Sequence, residues 1–280
     1  MIFELALGMG IAIFIIAFLA EYMDSTLGMG YGTTLTPLLL LLGFEPLEIV
    51  PSILLSELIT GLLAGFTHHS VGNVDFRPKT MNIKKTIRSL KELGIFESFR
   101  KGIPLHLKVA LLVATCSIVG ILAAVFLVIS LPKFYLKIYI CLLILAIGIV
   151  ILISLNKSYS FSWKKIAFLG LIASFNKGVS GGGYGPVVTG GQILSGVNGK
   201  NAVGITSLAE GLTCLVGVLT YLFIHISINW ILAPYLVIGG IISVPLSVYT
   251  VREMKTKTLR KIIGILTILL GLFTLGKILI

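Results

Sequence analysis

Apolar residues run along this chain in long blocks, separated by short glycine-rich or charged stretches. Five blocks fall in the first half, at about 2–23, 33–43, 47–70, 105–130 and 133–155. Five more follow at about 162–177, 186–197, 200–224, 230–250 and 257–279. Blocks of about 20 apolar residues with few charges predict membrane-crossing helices. Blocks 33–43 and 186–197 are too short for this. As helix they reach only about 16–18 Å, against about 30 Å of hydrocarbon. Each follows a glycine cluster, Gly28-Met29-Gly30-Tyr31-Gly32 and Gly181-Gly182-Gly183-Tyr184-Gly185. About six extended residues add about 20 Å. The second block of each half is therefore expected to be a broken span, with extended glycine backbone followed by a half-helix starting at Thr33 or Pro186. Non-helical backbone at membrane depth is tolerated only when protein buries it or it lines a cavity.

The two glycine clusters are copies at a constant offset of 153 residues (181 − 28). The offset carries Thr36 onto Thr189, Gly43 onto Gly196, Val50 onto Val203, Glu57 onto Glu210, Thr60 onto Thr213 and Thr67 onto Thr220 without a gap. About 13 of the 45 positions aligned from 24 to 68 are identical, which predicts an internal duplication. Residues 1–155 form the first transmembrane repeat and 156–280 the second. Glycine-interrupted segments at matching places in two halves are a sequence pointer to a transporter's binding site.

Composition excludes a soluble globule. The chain is 56% hydrophobic and 12% charged, with a mean hydropathy of +1.06. The first block has no Lys or Arg before Arg77, so it lacks a signal peptide's basic start and reads as a retained helix. The net charge is +11, and nine of the 22 basic residues lie between Arg77 and Lys108. Loop 71–104 is therefore expected in the cytoplasm rather than against nucleic acid. Apolar spacing over Asn82 to Arg100 predicts a basic amphipathic helix on the inner leaflet. Counting crossings puts the Lys157/Lys164/Lys165 and Arg252/Lys255 links inside, with Lys133 and Lys137 as outer exceptions. The uncharged 226–229 link and the Glu45/Glu48 turn fall outside, while the equivalent turn carrying Lys200 falls inside. The fold class expected is thus all-α integral membrane: two inverted-topology repeats of about five apolar segments each, both termini outside, in the plasma membrane. The broken second segments would meet near mid-membrane.

Such a meeting brings two half-helix N-termini together. Their free N–H groups and positive dipole ends suit an anion, and glycines let it approach the backbone. The candidate substrate-binding residues are Gly28, Gly30, Tyr31, Gly32, Thr33, Gly181, Gly182, Gly183, Tyr184 and Gly185. The alternative for the glycines is close helix packing alone. Lys177 and Asn176 are added as an anion-attracting pair at an outer mouth. Asp24 occupies the position equivalent to Lys177, but an inverted topology would set the two toward opposite faces. Glu57 and Glu210 lie about ten residues into their helices, near mid-depth, where carboxylates are rare and usually functional. Each either braces its own glycine loop, with Thr60 and Thr213 assisting, or carries a coupling proton. Cys116, Cys141 and Cys214 form no metal-ligand spacing and read as buried apolar residues. His68 and His69, near Asp75, read as interface residues before a metal pair. No cofactor and no metal are expected. The partners expected are a small anion and the lipid bilayer, with homodimerisation left open.

These residues resemble the TauE/SafE family of sulfite exporters, also called the 4-toluene sulfonate uptake permease family. The likeness lies in Gly28 to Gly32 followed by Thr36 and Pro37, in Gly43-Phe44-Glu45-Pro46 and in His69, Gly72 and Asp75. In the second half it lies in Gly181 to Gly185, Gly196, Asn198, Ala202 and Glu210. The departures are Met29 where glycine is usual and the basic insertion 71–104. The resemblance implies a membrane transporter, not an enzyme, moving sulfite, sulfonates, sulfoacetate or similar organic anions. Two other classes stay open. A channel would use the two Gly-Tyr-Gly triplets as a backbone filter, but here the half-helix follows the glycines instead of preceding them. An intramembrane serine protease would use Gly178-Val179-Ser180-Gly181 with His225, but the first repeat has Leu27 in place of Ser180.

Overall fold

The computed structural model describes residues 7–77, 103–153, 162–194 and 197–251, with scattered positions between 261 and 276. In chain order the helices are α1 (Leu7–Leu27), α2 (Tyr31–Leu41), α3 (Pro46–Ser70), α4 (Leu105–Ser130), α5 (Lys133–Ile153), α6 (Trp163–Ser180), α7 (Tyr184–Leu194), α8 (Gly199–Phe223) and α9 (Ala233–Thr250). Among the described residues there is no strand. Among the described residues five helices, α1, α3, α4, α8 and α9, are long and apolar enough to cross a membrane. The chain is an all-α integral membrane protein. The amphipathic helix expected at 82–100 and most of the last apolar block lie outside the described residues.

The breaks are shorter than expected. α1 stays helical to Leu27 and α6 to Ser180, and the half-helices start at Tyr31 and Tyr184 rather than at Thr33 and Pro186. Three residues, 28–30 and 181–183, make each break. Four glycines allow so tight a turn, because Gly28, Gly30, Gly181 and Gly183 all have positive φ (67°, 135°, 71° and 81°). Gly32 and Gly185 are helical.

The 153-residue offset carries α1, α2 and α3 onto α6, α7 and α8. The packing follows this correspondence with one exchange. One apolar core joins α1, α2 and α3 to α9 through Ile13, Ala17, Tyr31, Leu35, Ile53 and Leu236. The other joins α6, α7 and α8 to α4 through Ala173, Tyr184, Val188, Ile205, Val109 and Val113. Each half-helix thus shares its apolar core with two helices of its own half and one from the other half.

α3 and α8 are the central pair and run antiparallel. Gly61 lies against Gly211 and Ser207, Gly65 against Leu208, and Gly204 against His68 and Val74. A Cβ on Gly211 would stand 2.8 Å from the Leu62 nitrogen, so backbones touch where they cross. α3 starts with Pro46 at its first turn and a capping box between Glu45 and Glu48. At that end Lys137 pairs with Glu45 at 3.2 Å and Asn229 donates to Glu48 at 3.1 Å. At the other end the Asp75 N–H donates to His106 Nδ1 at 3.0 Å, and Asn201 meets His106 Nε2 at 2.6 Å. Large apolar side chains such as Leu19, Phe66, Val119, Leu219 and Ile242 face outward, while the interior holds charge. That is the arrangement lipid solvation favours.

Candidate functional site

The two glycine breaks lie directly against each other. A Cβ on Gly32 would strike the Gly181 carbonyl, and one on Gly185 would strike the Gly28 carbonyl. These contacts are reciprocal under the duplication, since the offset takes Gly32 to Gly185 and Gly28 to Gly181. Gly182 also lies close to the Thr33 nitrogen, at 2.6 Å for an added Cβ. Hydroxyls stitch the same crossing. Thr36 donates to the Ser180 carbonyl at 2.6 Å, and its equivalent Thr189 donates to the Gly28 carbonyl at 2.8 Å. Backbone meets backbone at these glycines, as in the close-packing alternative.

The tyrosines that open the half-helices are fully buried and pinned. The Tyr31 hydroxyl donates to the Leu236 carbonyl at 3.2 Å and lies 2.7 Å from Ser56 Oγ. The Tyr184 hydroxyl lies 3.2 Å from Thr213 Oγ1 and 3.4 Å from Ser117 Oγ. The α2 N-terminus already has an anionic partner, because the Tyr31 N–H donates to Asp24 Oδ1 at 3.3 Å. Thr33 turns its hydroxyl back to the Gly30 carbonyl at 3.2 Å.

Charge gathers beside this crossing. Glu57 and Glu210 are each the twelfth residue of a 25-residue helix, counting from Pro46 and Gly199. Each is therefore about 17 Å of helix from its own N-terminus. The antiparallel packing brings both to one level, where Lys177 joins them. Its ammonium pairs with Glu57 Oε2 and with Glu210 Oε1, the latter at 2.7 Å. Lys177 is 1% exposed and is the only buried Lys or Arg among the described residues. The carboxylates of Asp24, Glu57 and Glu210 lie within 4.8 Å of one another. Two like charges at that distance repel by roughly 3.5 kcal/mol at an effective dielectric of about 20. Glu57 Oε1 has no hydrogen-bond partner among the described residues although the residue is buried. One turn before Asp24, buried Glu21 accepts from Ser25 at 2.6 Å. Three oxygens so spaced could ligate a cation, but the Lys177 ammonium already fills that place against two of them.

Several expectations change here. Lys177 is central, not at an outer mouth, and Asn176 beside it is buried as well. Asp24 and Lys177 do not point to opposite faces, because Asp24 joins the same cluster. Glu57 and Glu210 are held by Lys177, and no bond links either to its own glycine loop. Thr213 serves Tyr184 and the Ala209 carbonyl, not Glu210. Thr60 lies against Gly240. Ser180 is spent on the Asn176 carbonyl and on Gly182, while His225 follows the far end of α8. His68 bridges the Ser25 carbonyl and Asn73, and His69 Nδ1 accepts from the Phe76 N–H. Glu21 was missed; an acid inside an apolar block was its signal.

A buried ion-pair cluster thus lies between two broken helices 153 residues apart in the chain. The family described as Sulfite exporter TauE/SafE matches residues 13–81 and 92–274. The chain belongs to the TauE/SafE family. It is also 30% identical over 275 residues to a protein of Bacillus subtilis (strain 168) described as "Probable membrane transporter protein YtnM", covering 93% of this chain and 80% of that protein. No solved structure matches. As a TauE/SafE protein the chain is a membrane transporter.

Proposed function

We propose that the protein is a secondary transporter for a small sulfur-containing or organic anion of the sulfite, sulfonate or sulfoacetate type. The transport site is the crossing of the two glycine breaks beside Lys177. The observation that carries this reading is one buried ammonium held where both half-helices begin. The family's description as sulfite exporters supports the substrate class. An anion there would meet Lys177 and the dipole end of a broken helix.

The same reading takes residues 1–155 and 156–280 as inverted repeats. Its support is the antiparallel run of α3 and α8, which the duplication makes equivalent. The equivalent turns at Glu45 and Asn198 then lie on opposite sides, with loop 71–104 in the cytoplasm and both termini outside. Alternating access would rock one half against the other about the glycine crossing.

The test is counterflow in proteoliposomes loaded with unlabelled sulfite, methanesulfonate, sulfoacetate or acetate. Saturable, trans-stimulated entry of at least one labelled sulfur anion is expected, with acetate inert. Unitary currents, or no movement of any of the three sulfur anions, would reject the reading.

A further inference from the structure

We propose that Lys177 is the residue that binds the transported anion. Glu57 and Glu210 surrender it only by taking up a proton, so that anion and proton travel together. This rests on the anion-transporter reading above and names the coupling ion and the binding group.

The argument starts from what else could hold an anion. The glycines are in contact with each other across the crossing and leave no gap at Gly32 or Gly185. The first N–H of α2 is occupied by Asp24. The remaining cationic group of the buried interior, among the described residues, is Lys177. Its ammonium is paired with two carboxylates from two different helices.

The charges that face it are unbalanced. Glu57 comes from α3, Glu210 and Cys214 from α8, and Asp24 from α1, with Glu21 of α1 behind Asp24 and the Tyr31 and Tyr184 phenols nearby on α2 and α7. With all three acids ionised, the group of three carboxylates and one ammonium carries a net charge of −2. An anion entering this field must take the ammonium from a carboxylate and leave that carboxylate buried and unpaired. A proton on the displaced carboxylate removes both obstacles at once. It cancels the charge that repels the anion, and it turns an acceptor into a hydroxyl that can donate to the anion. Glu57 Oε1 is placed for this, being an unpartnered acceptor on a residue only 2% exposed. A metal ion could neutralise the acids instead, but it would have to sit against the ammonium.

The duplication explains why one cation faces several acids. Position 24 and position 177 are equivalent, and only the second repeat carries the lysine. The cluster is one exchangeable ion pair set in an excess of proton acceptors.

The test uses the full-length protein in liposomes containing a pH-sensitive dye, with labelled methanesulfonate as the anion. That anion keeps its single charge from about pH 5.5 to about pH 8, so any pH dependence belongs to the protein. Linkage of one proton to one anion predicts that the half-saturating concentration falls up to about tenfold per pH unit on acidification. A methanesulfonate gradient should acidify the compartment that receives the anion. Glu57→Gln or Glu210→Gln, at whichever residue carries the proton, should flatten the pH dependence of the half-saturating concentration, whatever happens to the maximal rate. Lys177→Met should lose exchange, and Lys177→Arg should regain part of it.

Exchange in wild type with a pH-independent half-saturation and no proton movement would overturn the proposal while leaving the transporter reading intact. So would undiminished exchange in Lys177→Met. If wild type moves sulfite but not methanesulfonate, the comparison is made between wild type and the two Gln variants with sulfite, whose own titration then cancels. Identical pH profiles in all three would again overturn the proposal. If no sulfur anion moves in wild type, the transporter reading falls and this proposal falls with it. The wild-type pH profile decides the question even if the Lys177 variants do not fold.

Discussion

Replacing Lys177 by Met tests what the ion cluster does for the fold, apart from transport. Met has about the length of lysine without its charge, so packing changes little. The loss is electrostatic. Lys177 pairs with Glu57 and with Glu210, and both are almost fully buried. Breaking a buried pair by removing one partner costs about 3–5 kcal/mol, because the remaining charge has no counter-ion. Two remaining carboxylates could cost more, but each can take up a proton, which limits the loss at the upper end of that range. Against a typical total stability of about 5–15 kcal/mol this is large. For a chain of this size it corresponds to a fall in Tm on the order of 10 °C. Restoring neutrality should restore stability. The triple variant Lys177→Met, Glu57→Gln, Glu210→Gln leaves no unpaired charge at the two carboxylate positions and should recover most of the loss. The assay is thermal unfolding of detergent-purified protein, followed by intrinsic fluorescence or by thiol labelling of buried Cys214. It is run on wild type, the single variant, the double Gln variant and the triple variant as a cycle. Two results would refute the reasoning: Lys177→Met melting within about 2 °C of wild type, or a triple variant no more stable than Lys177→Met.

Other predictions follow from the same geometry. Gly32→Ala should destabilise by about 1–3 kcal/mol, since its Cβ meets the Gly181 carbonyl, whereas Gly190→Ala, with nothing within 4 Å, should be neutral or slightly stabilising; thermal unfolding of the two compares them directly. Gly30→Val should abolish anion exchange while leaving an expressed protein, because φ there is 135° and a β-branched residue strains the break; near-normal flux would count against the break's role. A cysteine at Asn198 should label only from the cytoplasm and one at Glu45 only from outside, and labelling of both from one side would reject the inverted repeat. Lys137→Ala should cost no more than about 1 kcal/mol, its partner Glu45 being 34% exposed, which a melting shift of a few degrees or less would bear out.

Much of the architecture was legible in the chain. Apolar block length located the long helices, and the offset of 153 located both breaks and paired Glu57 with Glu210. The start of each half-helix was misplaced by two residues, because Tyr31-Gly32 and Tyr184-Gly185 read as a glycine loop. In the structure, buried tyrosines anchor the first turn and override glycine's weak helix preference. The central place of Lys177 was not legible. Treating positions 24 and 177 as facing opposite sides ignored how close both lie to the breaks. Residues next to a shared crossing converge whichever way their helices run. Glu21 lies inside the first apolar block but was passed over, because the 153-residue offset gives it no acidic counterpart: the equivalent position is Ser174. The carboxylates' partner could not be read from local spacing, since Lys177 lies 33 residues from Glu210 and on another helix.

The unlike residues at equivalent positions 24 and 177 carry a consequence for how such a molecule can be encoded. Two identical copies of one repeat would place either two aspartates or two lysines beside the crossing. The first would surround Glu57 and Glu210 with acid and no cation; the second would match each carboxylate with its own ammonium and leave no acceptor to spare. A single ammonium shared by several acids needs halves that differ at that one site. It therefore needs two stretches of coding sequence free to change independently, joined so that each chain always holds one of each. A single chain carrying both positions supplies that guarantee, and a symmetric pair of half-length chains could not.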